Sequence, residues 1–266
     1  MNSQMSPKDR IIVALDVDSV DKATTLVEEL SLHVGMFKIG LQFIHAMLAQ
    51  LIVPDKAAAR KNLTQIRKLY ALLDGKIFWD GKFNDIPNTV GKASAEVAKL
   101  GVKMFNVHVS AGFEAMQTAV ARKGGSLVLA VTVLTSLNLR ETEMLYVRQP
   151  HEIVSYFARY AQRAGFDGAI ASPHEIKIIR EECGRNFIIA TPGIRPSWAQ
   201  ANDQKRTSTP AEAITAGADY LVIGRPITYP PFMIGKPEDA AIHIAKEIAE
   251  AIATRPTEEA EMRTGC

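Results

Sequence analysis

Residues 77–90 read Ile77-Phe78-Trp79-Asp80-Gly81-Lys82-Phe83-Asn84-Asp85-Ile86-Pro87-Asn88-Thr89-Val90. The run begins apolar, as a buried strand does, and turns charged as it ends. Side chains two apart along a strand share a face. Asp80 and Lys82 therefore project together at the strand's carboxyl end. Pro87 suits the first turn of a helix, where its missing N–H is not needed. Asp85 then falls in the short loop between strand and helix. Charges at the end of an apolar strand are costly to bury unless paired, and an alternating minus-plus-minus set has the form of a paired cluster. A lone Asp-x-Lys is more often a structural salt bridge, so the rest of the chain has to decide.

Outward from this stretch, apolar strands alternate with helical patterns. Short runs rich in Val, Ile and Leu lie at residues 11–15, 36–40, 102–107, 127–133, 168–171, 187–190 and 220–223. Such continuous runs suit parallel strands covered on both faces. Between them come amphipathic segments, among them 23–30, with Ser19 as its cap, and the closing helix 240–252. Strand and helix in alternation predict an α/β fold with a parallel sheet. Eight such units in about 250 residues predict a (β/α)8 TIM barrel in a single domain, here residues 1–255. A doubly wound open sheet is the competing arrangement. Residues 54–62 are polar and lengthen the interval between the second and third strands, so they read as a peripheral insertion. Residues 256–266 read as a frayed tail.

The bulk composition excludes several classes. The chain has 266 residues, 47% hydrophobic and 23% charged, with net charge +2. That balance gives no electrostatic footprint for nucleic acid, and no apolar run approaches the ~20 residues that span a bilayer. Two cysteines, Cys183 and Cys266, do not make a disulfide framework and fit a reducing cytoplasm. No apolar leader precedes the first strand. No metal-ligand spacing and no Gly-x-Gly-x-x-Gly is present.

In a barrel of this kind, sites lie where the strands end at their carboxyl side. The polar residues there converge: Asp16 after strand one, Lys38 in strand two, Asp80 and Lys82 in strand three, Thr135 after strand five, Arg195 after strand seven, and Gly224 with Arg225 after strand eight. Singly, each has an ordinary explanation. Lys38 could snorkel, Asp16 could cap a helix, and His108 reads as a hydrogen-bonded structural histidine. Two carboxylates and two lysines at one mouth are hard to explain as packing. Phosphate sites after strands seven and eight recur in barrels. Gly224 would let backbone N–H groups approach, and Arg225 and Arg195 supply cations. Residues 199–209 have no apolar period and suit a lid, with Gln204 able to donate and accept.

These residues resemble a known family. The stretch Asp80-Gly81-Lys82-Phe83-Asn84-Asp85-Ile86-Pro87-Asn88-Thr89-Val90 is similar to the signature of the orotidine 5′-phosphate decarboxylases. So are Ala14-Leu15-Asp16, Phe37-Lys38-Ile39-Gly40, Thr191-Pro192-Gly193-Ile194-Arg195, Asp203-Gln204-Lys205-Arg206 and Val222-Ile223-Gly224-Arg225-Pro226-Ile227-Thr228. The resemblance runs over residues 10–252. Its Asp-x-Lys-x-x-Asp core is shared with related barrels such as hexulose-phosphate synthase; the lid with Gln204 and the Gly-Arg-Pro close discriminate better. Asn84 stands where many members carry histidine, and residues 54–62 exceed the compact bacterial members.

The resemblance implies conversion of orotidine 5′-monophosphate to uridine 5′-monophosphate and CO2, the last step of de novo pyrimidine synthesis, with no metal and no organic cofactor. It implies Lys82, Asp80, Lys38 and Asp85 as catalytic residues. It implies Asp16 and Lys38 at the ribose, Thr135 at the base, and Arg195, Gln204, Gly224 and Arg225 at the phosphate. Asp85, Ile86 and Thr89 match residues that enter the neighbouring subunit's site, which implies a homodimer with shared sites. Two alternatives remain: a magnesium-dependent sugar-phosphate aldolase on the same barrel, and a nucleotide-binding barrel without catalysis.

Overall fold

The computed structural model describes residues 5–199 and 207–254. In chain order its elements are β1 (Ile11–Ala14), α1 (Val20–Leu30), β2 (Met36–Gly40), α2 (Leu41–Leu51), α3 (Lys56–Leu73), β3 (Ile77–Phe83), α4 (Pro87–Lys99), β4 (Met104–His108), α5 (Phe113–Arg122), β5 (Leu127–Val131), α6 (Leu139–Tyr146), α7 (Pro150–Arg163), β6 (Gly168–Ile170), α8 (Ile176–Cys183), β7 (Ile188–Thr191), α9 (Pro210–Ala216), β8 (Tyr220–Ile223), α10 (Arg225–Thr228) and α11 (Pro237–Ala253). The strands are all parallel and β1 pairs with both β2 and β8, so the sheet closes in sequence order. That closure rules out the open doubly wound sheet.

Strand alternation sorts the side chains into two cores. Outward-facing Ile11, Val13, Phe37, Ile39, Phe105 and Val107 pack beneath the helices. Inward-facing Ile12, Met36, Phe78, Met104, Leu129 and Tyr220 fill the barrel. Two residues further along β2, β3 and β4, the same inward face turns polar, because Met36 is followed by Lys38, Phe78 by Asp80 and Met104 by Asn106. A plugged apolar floor under a polar mouth is thus written by the period-2 rule.

The helix starts follow local chemistry. Ser19 accepts from the Lys22 N–H as the cap of α1. Pro87, Pro150, Pro210 and Pro237 sit in the first turns of their helices. Two segments differ from the sequence reading. Lys56 to Asn62 are not set apart from the helix that follows: they form the first turns of α3. Asp55 caps it by accepting from the Ala57 N–H at 2.8 Å. Ala57, Ala58 and Ala59 are strong helix formers, and the polarity of the stretch reflects a largely exposed surface. Helix α6 was not expected in the long connection after β5; a reciprocal cap between Asn138 and Glu141 starts it. The tail 256–266 lies outside the described residues. Among those residues no helix is long and apolar enough to cross a membrane.

Candidate active site

Strand β3 carries the centre of the site, and it does so by breaking its own regularity. Its pairing with β4 shifts register between Trp79 and Phe83. Within that bulge Lys82 takes φ +49°, a left-handed value uncommon for a side chain other than glycine. A bulge re-aims side chains. Here it turns Lys82 back so that its Nζ lies 2.7 Å from Asp80 Oδ1. Gly81 must be small, since a Cβ there would come within 2.9 Å of the Trp79 and Phe83 rings.

The cluster is a row of alternating charges. Lys38 Nζ lies 3.1 Å from Asp16 Oδ1 and 3.2 Å from Asp80 Oδ2, and Lys82 closes the row on the other oxygen of Asp80. Asp80 is buried at 6% exposure, whereas the Asp16 side chain is 53% exposed. Burial pushes the Asp80 carboxyl up, but the ammoniums of Lys38 and Lys82, with hydrogen bonds from Lys82 and Asn106, bring it below its ordinary value. Burial likewise opposes the charge on Lys38, and Asp80 and Asp16 overcome it and hold the ammonium above the usual lysine value. Opposite charges within a few ångströms favour the ionised forms of both partners. Gly40 belongs to the same arrangement: a Cβ there would meet Lys38 Nζ at 2.7 Å.

Two adjoining cavities open on this row. The smaller, of about 150 Å3, has an apolar wall that includes Phe78, Val131 and Ile170, with Asp80, Lys82 and Thr135 at its polar side. The larger, of about 520 Å3, is lined by Asp16, Arg195, Gly224 and Arg225. Lys38, Pro192 and Val222 border both. The pair could hold a flat ring at one end and an anion at the other. Arg195 reinforces the second half. Its Nη1 donates to the Ile194 carbonyl at 3.0 Å, while its buried Nε has no hydrogen-bond partner among the described residues. Burial first, and then the like charge of Arg225, lower its affinity for the proton. Two guanidiniums in one cavity repel each other unless an anion lies between them.

The structure brings together Asp16, Lys38, Asp80, Lys82, Thr135, Arg195, Gly224 and Arg225. It does not bring Asp85, Ile86 or Thr89 to the cavities of their own chain. All three are exposed, and Asp85 Oδ1 accepts from the Ile86 N–H. Gln204 lies outside the described residues. His108 was expected to be held by hydrogen bonds, yet among the described residues its ring makes none. Burial, followed by the charge of Lys82, disfavours its protonated form, with Asp80 opposing. Cys183 is buried and its thiol is pushed up to about 11 by burial and by Glu182, which suits packing rather than nucleophilic attack.

Asn106 was missed. It is fully buried, donates from Nδ2 to Asp80 Oδ1 at 2.6 Å and accepts the Lys82 N–H on Oδ1 at 2.7 Å. The signal was available, because Asn106 follows Met104 on the inward face just as Lys38 follows Met36. Gln42, Thr228 and Tyr229 also line the larger cavity. Among the described residues no three His, Cys, Asp or Glu side chains are grouped as a metal site needs.

Comparison with known proteins supplies the relatives. The model of the orotidine 5′-phosphate decarboxylase / HUMPS family matches residues 9–231. The orotidine 5′-phosphate decarboxylase of Heliobacterium modesticaldum is 44% identical over 262 residues, which cover 94% of this chain and 100% of that protein. Its counterpart from Geobacter sulfurreducens is 44% identical over 239 residues, 87% of this chain and 94% of that one. The crystal structure of orotidine 5′-phosphate decarboxylase from Lactobacillus acidophilus superposes with a TM-score of 0.70 at 29% identity, covering 90% of this chain and 98% of the other.

Proposed function

From the premise that the chain belongs to the orotidine 5′-phosphate decarboxylase / HUMPS family, we propose that it removes CO2 from orotidine 5′-monophosphate to form uridine 5′-monophosphate, the closing step of de novo pyrimidine synthesis. The observation that carries this reading is the row Asp16–Lys38–Asp80–Lys82, set between an apolar slot and an arginine-lined cavity.

Lys82 and Asp80 act at the reacting carbon. Breaking the bond between C6 and the carboxylate leaves its electron pair on C6. The Lys82 ammonium stabilises that charge as it forms and then gives C6 a proton, and the neutral amine regains one from solvent. Fixed charge placed in advance costs no reorganisation at the moment of reaction. Asp80 holds both ammoniums in place. It also sets a negative charge beside the substrate carboxylate, and that contact is relieved as CO2 departs.

The remaining residues bind. Lys38 and Asp16 hold the ribose hydroxyls, Thr135 meets the base, and Arg195, Gln204, Arg225 and the Gly224 backbone hold the phosphate. Binding energy from that distant phosphate can be used at the reacting carbon. A cation already stands where charge develops, so the reaction calls for neither a metal nor an organic cofactor. Asp85, Ile86 and Thr89 complete the site of a second subunit. Their exposure, including an Ile86 side chain at 65%, supports this shared-site homodimer. The near-neutral charge and the buried thiol of Cys183 support a cytoplasmic enzyme that binds neither membrane nor nucleic acid.

The test is the fall in absorbance when the protein meets orotidine 5′-monophosphate with a chelator present. Rapid loss of substrate is expected from the wild type. Lys82→Ala should be slower by at least ~10²- to 10⁴-fold, the range for a positioned proton donor. Consumption of a sugar phosphate that the chelator abolishes would instead indicate the aldolase. Binding of uridine 5′-monophosphate without turnover would indicate a barrel that has lost its chemistry.

A further inference from the structure

We propose that Asn106 is a positioning residue that sets the arrangement of Asp80 and Lys82 together, through a single side-chain amide spanning from β4 to the bulge of β3. This inference rests on the decarboxylase reading. The register shift between Trp79 and Phe83 interrupts the ladder with β4, and a bulge leaves a backbone group without its regular partner. The Lys82 N–H is such a group, and the Asn106 side chain accepts it at 2.7 Å. The other end of the same amide donates to Asp80 Oδ1 at 2.6 Å.

Those two bonds force one orientation. An asparagine side chain has one acceptor end and one donor end. Reversed, it would set an N–H against the Lys82 N–H and an oxygen against the carboxylate. Asp80 Oδ1 thereby receives Asn106 Nδ2 and Lys82 Nζ, and Oδ2 is left to Lys38. Without the amide, the terminal torsion of Asp80 is set only by two ammoniums on long, flexible side chains, and the bulge that aims Lys82 loses its anchor. Asn106 is wholly buried and lines neither cavity. It therefore acts on the substrate only through these two residues.

The experiment compares the wild type with Asn106→Asp and Asn106→Ala. N106D keeps the shape and an acceptor for the Lys82 N–H. It places two carboxylates at hydrogen-bond distance, which cannot both ionise easily. A proton shared by the pair should move the acid limb of the kcat profile to higher pH by about one unit or more. N106A should lower kcat by ~10²-fold, the cost of an ångström-scale misplacement, with KM little changed. Carboxyl titration followed by carbon-13 NMR reads Asp80 directly, without any turnover. Its midpoint should rise in both variants, and a midpoint that stays put in either folded variant would overturn the proposal. So would a wild-type kcat profile in N106D, or a loss confined to KM and melting temperature. If N106D does not fold, N106A decides by the same two readouts. A wild type that fails to decarboxylate would refute the function, while the titration would still judge Asn106.

Discussion

Lys82 holds its ammonium on a backbone at φ +49°, so the aim of the proposed proton donor and backbone strain are joined at one residue. Non-glycine residues in this region cost about 1 kcal/mol or more. Lys82→Gly and Lys82→Ala both remove the ammonium, and the difference between them isolates the strain. The glycine variant should melt about 2–4 °C above the alanine variant, as ~1 kcal/mol implies for a chain of this size. Equal melting temperatures would mean the bulge is unstrained. Asp80 makes a second prediction. Its carboxyl titrates below the ordinary aspartate value of 3.8 in the folded chain. As pH falls, the unfolded chain takes up that proton first, so the stabilisation is present above 3.8 and is lost below it. In urea titrations from about pH 5 down to about pH 3, Asp80→Asn should remove part of the wild type's decline. An unchanged slope would show that the two lysines do not hold the carboxyl down.

At the scale of elements, the approach of α4 to α5 governs how the 85–89 segment is presented, because α4 begins directly after Ile86. A Cβ on Gly91 would lie 2.2 Å from Thr118 Cγ2 and 3.2 Å from Arg122 Cδ. Thr118 is not free to yield, since its hydroxyl donates to the Glu114 carbonyl at 2.7 Å. Alanine gains about 1 kcal/mol of helix propensity over glycine. Overpacking costs about 1–3 kcal/mol, and at this separation the clash wins. Gly91→Ala should therefore lower the denaturation midpoint, and a higher midpoint would show that the helices part without penalty.

For the whole molecule, the proposed sharing of sites between two subunits predicts complementation. Lys82→Ala and Asp85→Ala homodimers should each be nearly inactive. A heterodimer of the two would carry both defects in one site and none in the other, so purified mixed dimers should recover a large part of half the wild-type rate. Verified heterodimers without activity would refute sharing. Activity per subunit should also fall on dilution through the range in which the dimer separates, as light scattering would report.

Much of this was present in the sequence because it depends on local periodicity. Strand β2 matches the predicted 36–40, and β8 the predicted 220–223. Period-2 alternation accounts for Lys38 and Asp80 on the inward face, two positions beyond Met36 and Phe78, and helix-start chemistry placed Ser19 and Pro87. The start of α3 at Lys56 was not legible, since an exposed helix and a polar loop look alike when only composition is read. What tertiary structure decided involves residues far apart in the chain. Closure of β1 on β8 made the sheet a barrel. A register shift against β4, invisible in β3 alone, set the backbone of Lys82. Asn106 acquired its place because two strands bring its amide against Asp80 and Lys82, 26 and 24 positions away. Local sequence determines which face a side chain takes, whereas its partners depend on register between strands, which only the packed barrel supplies.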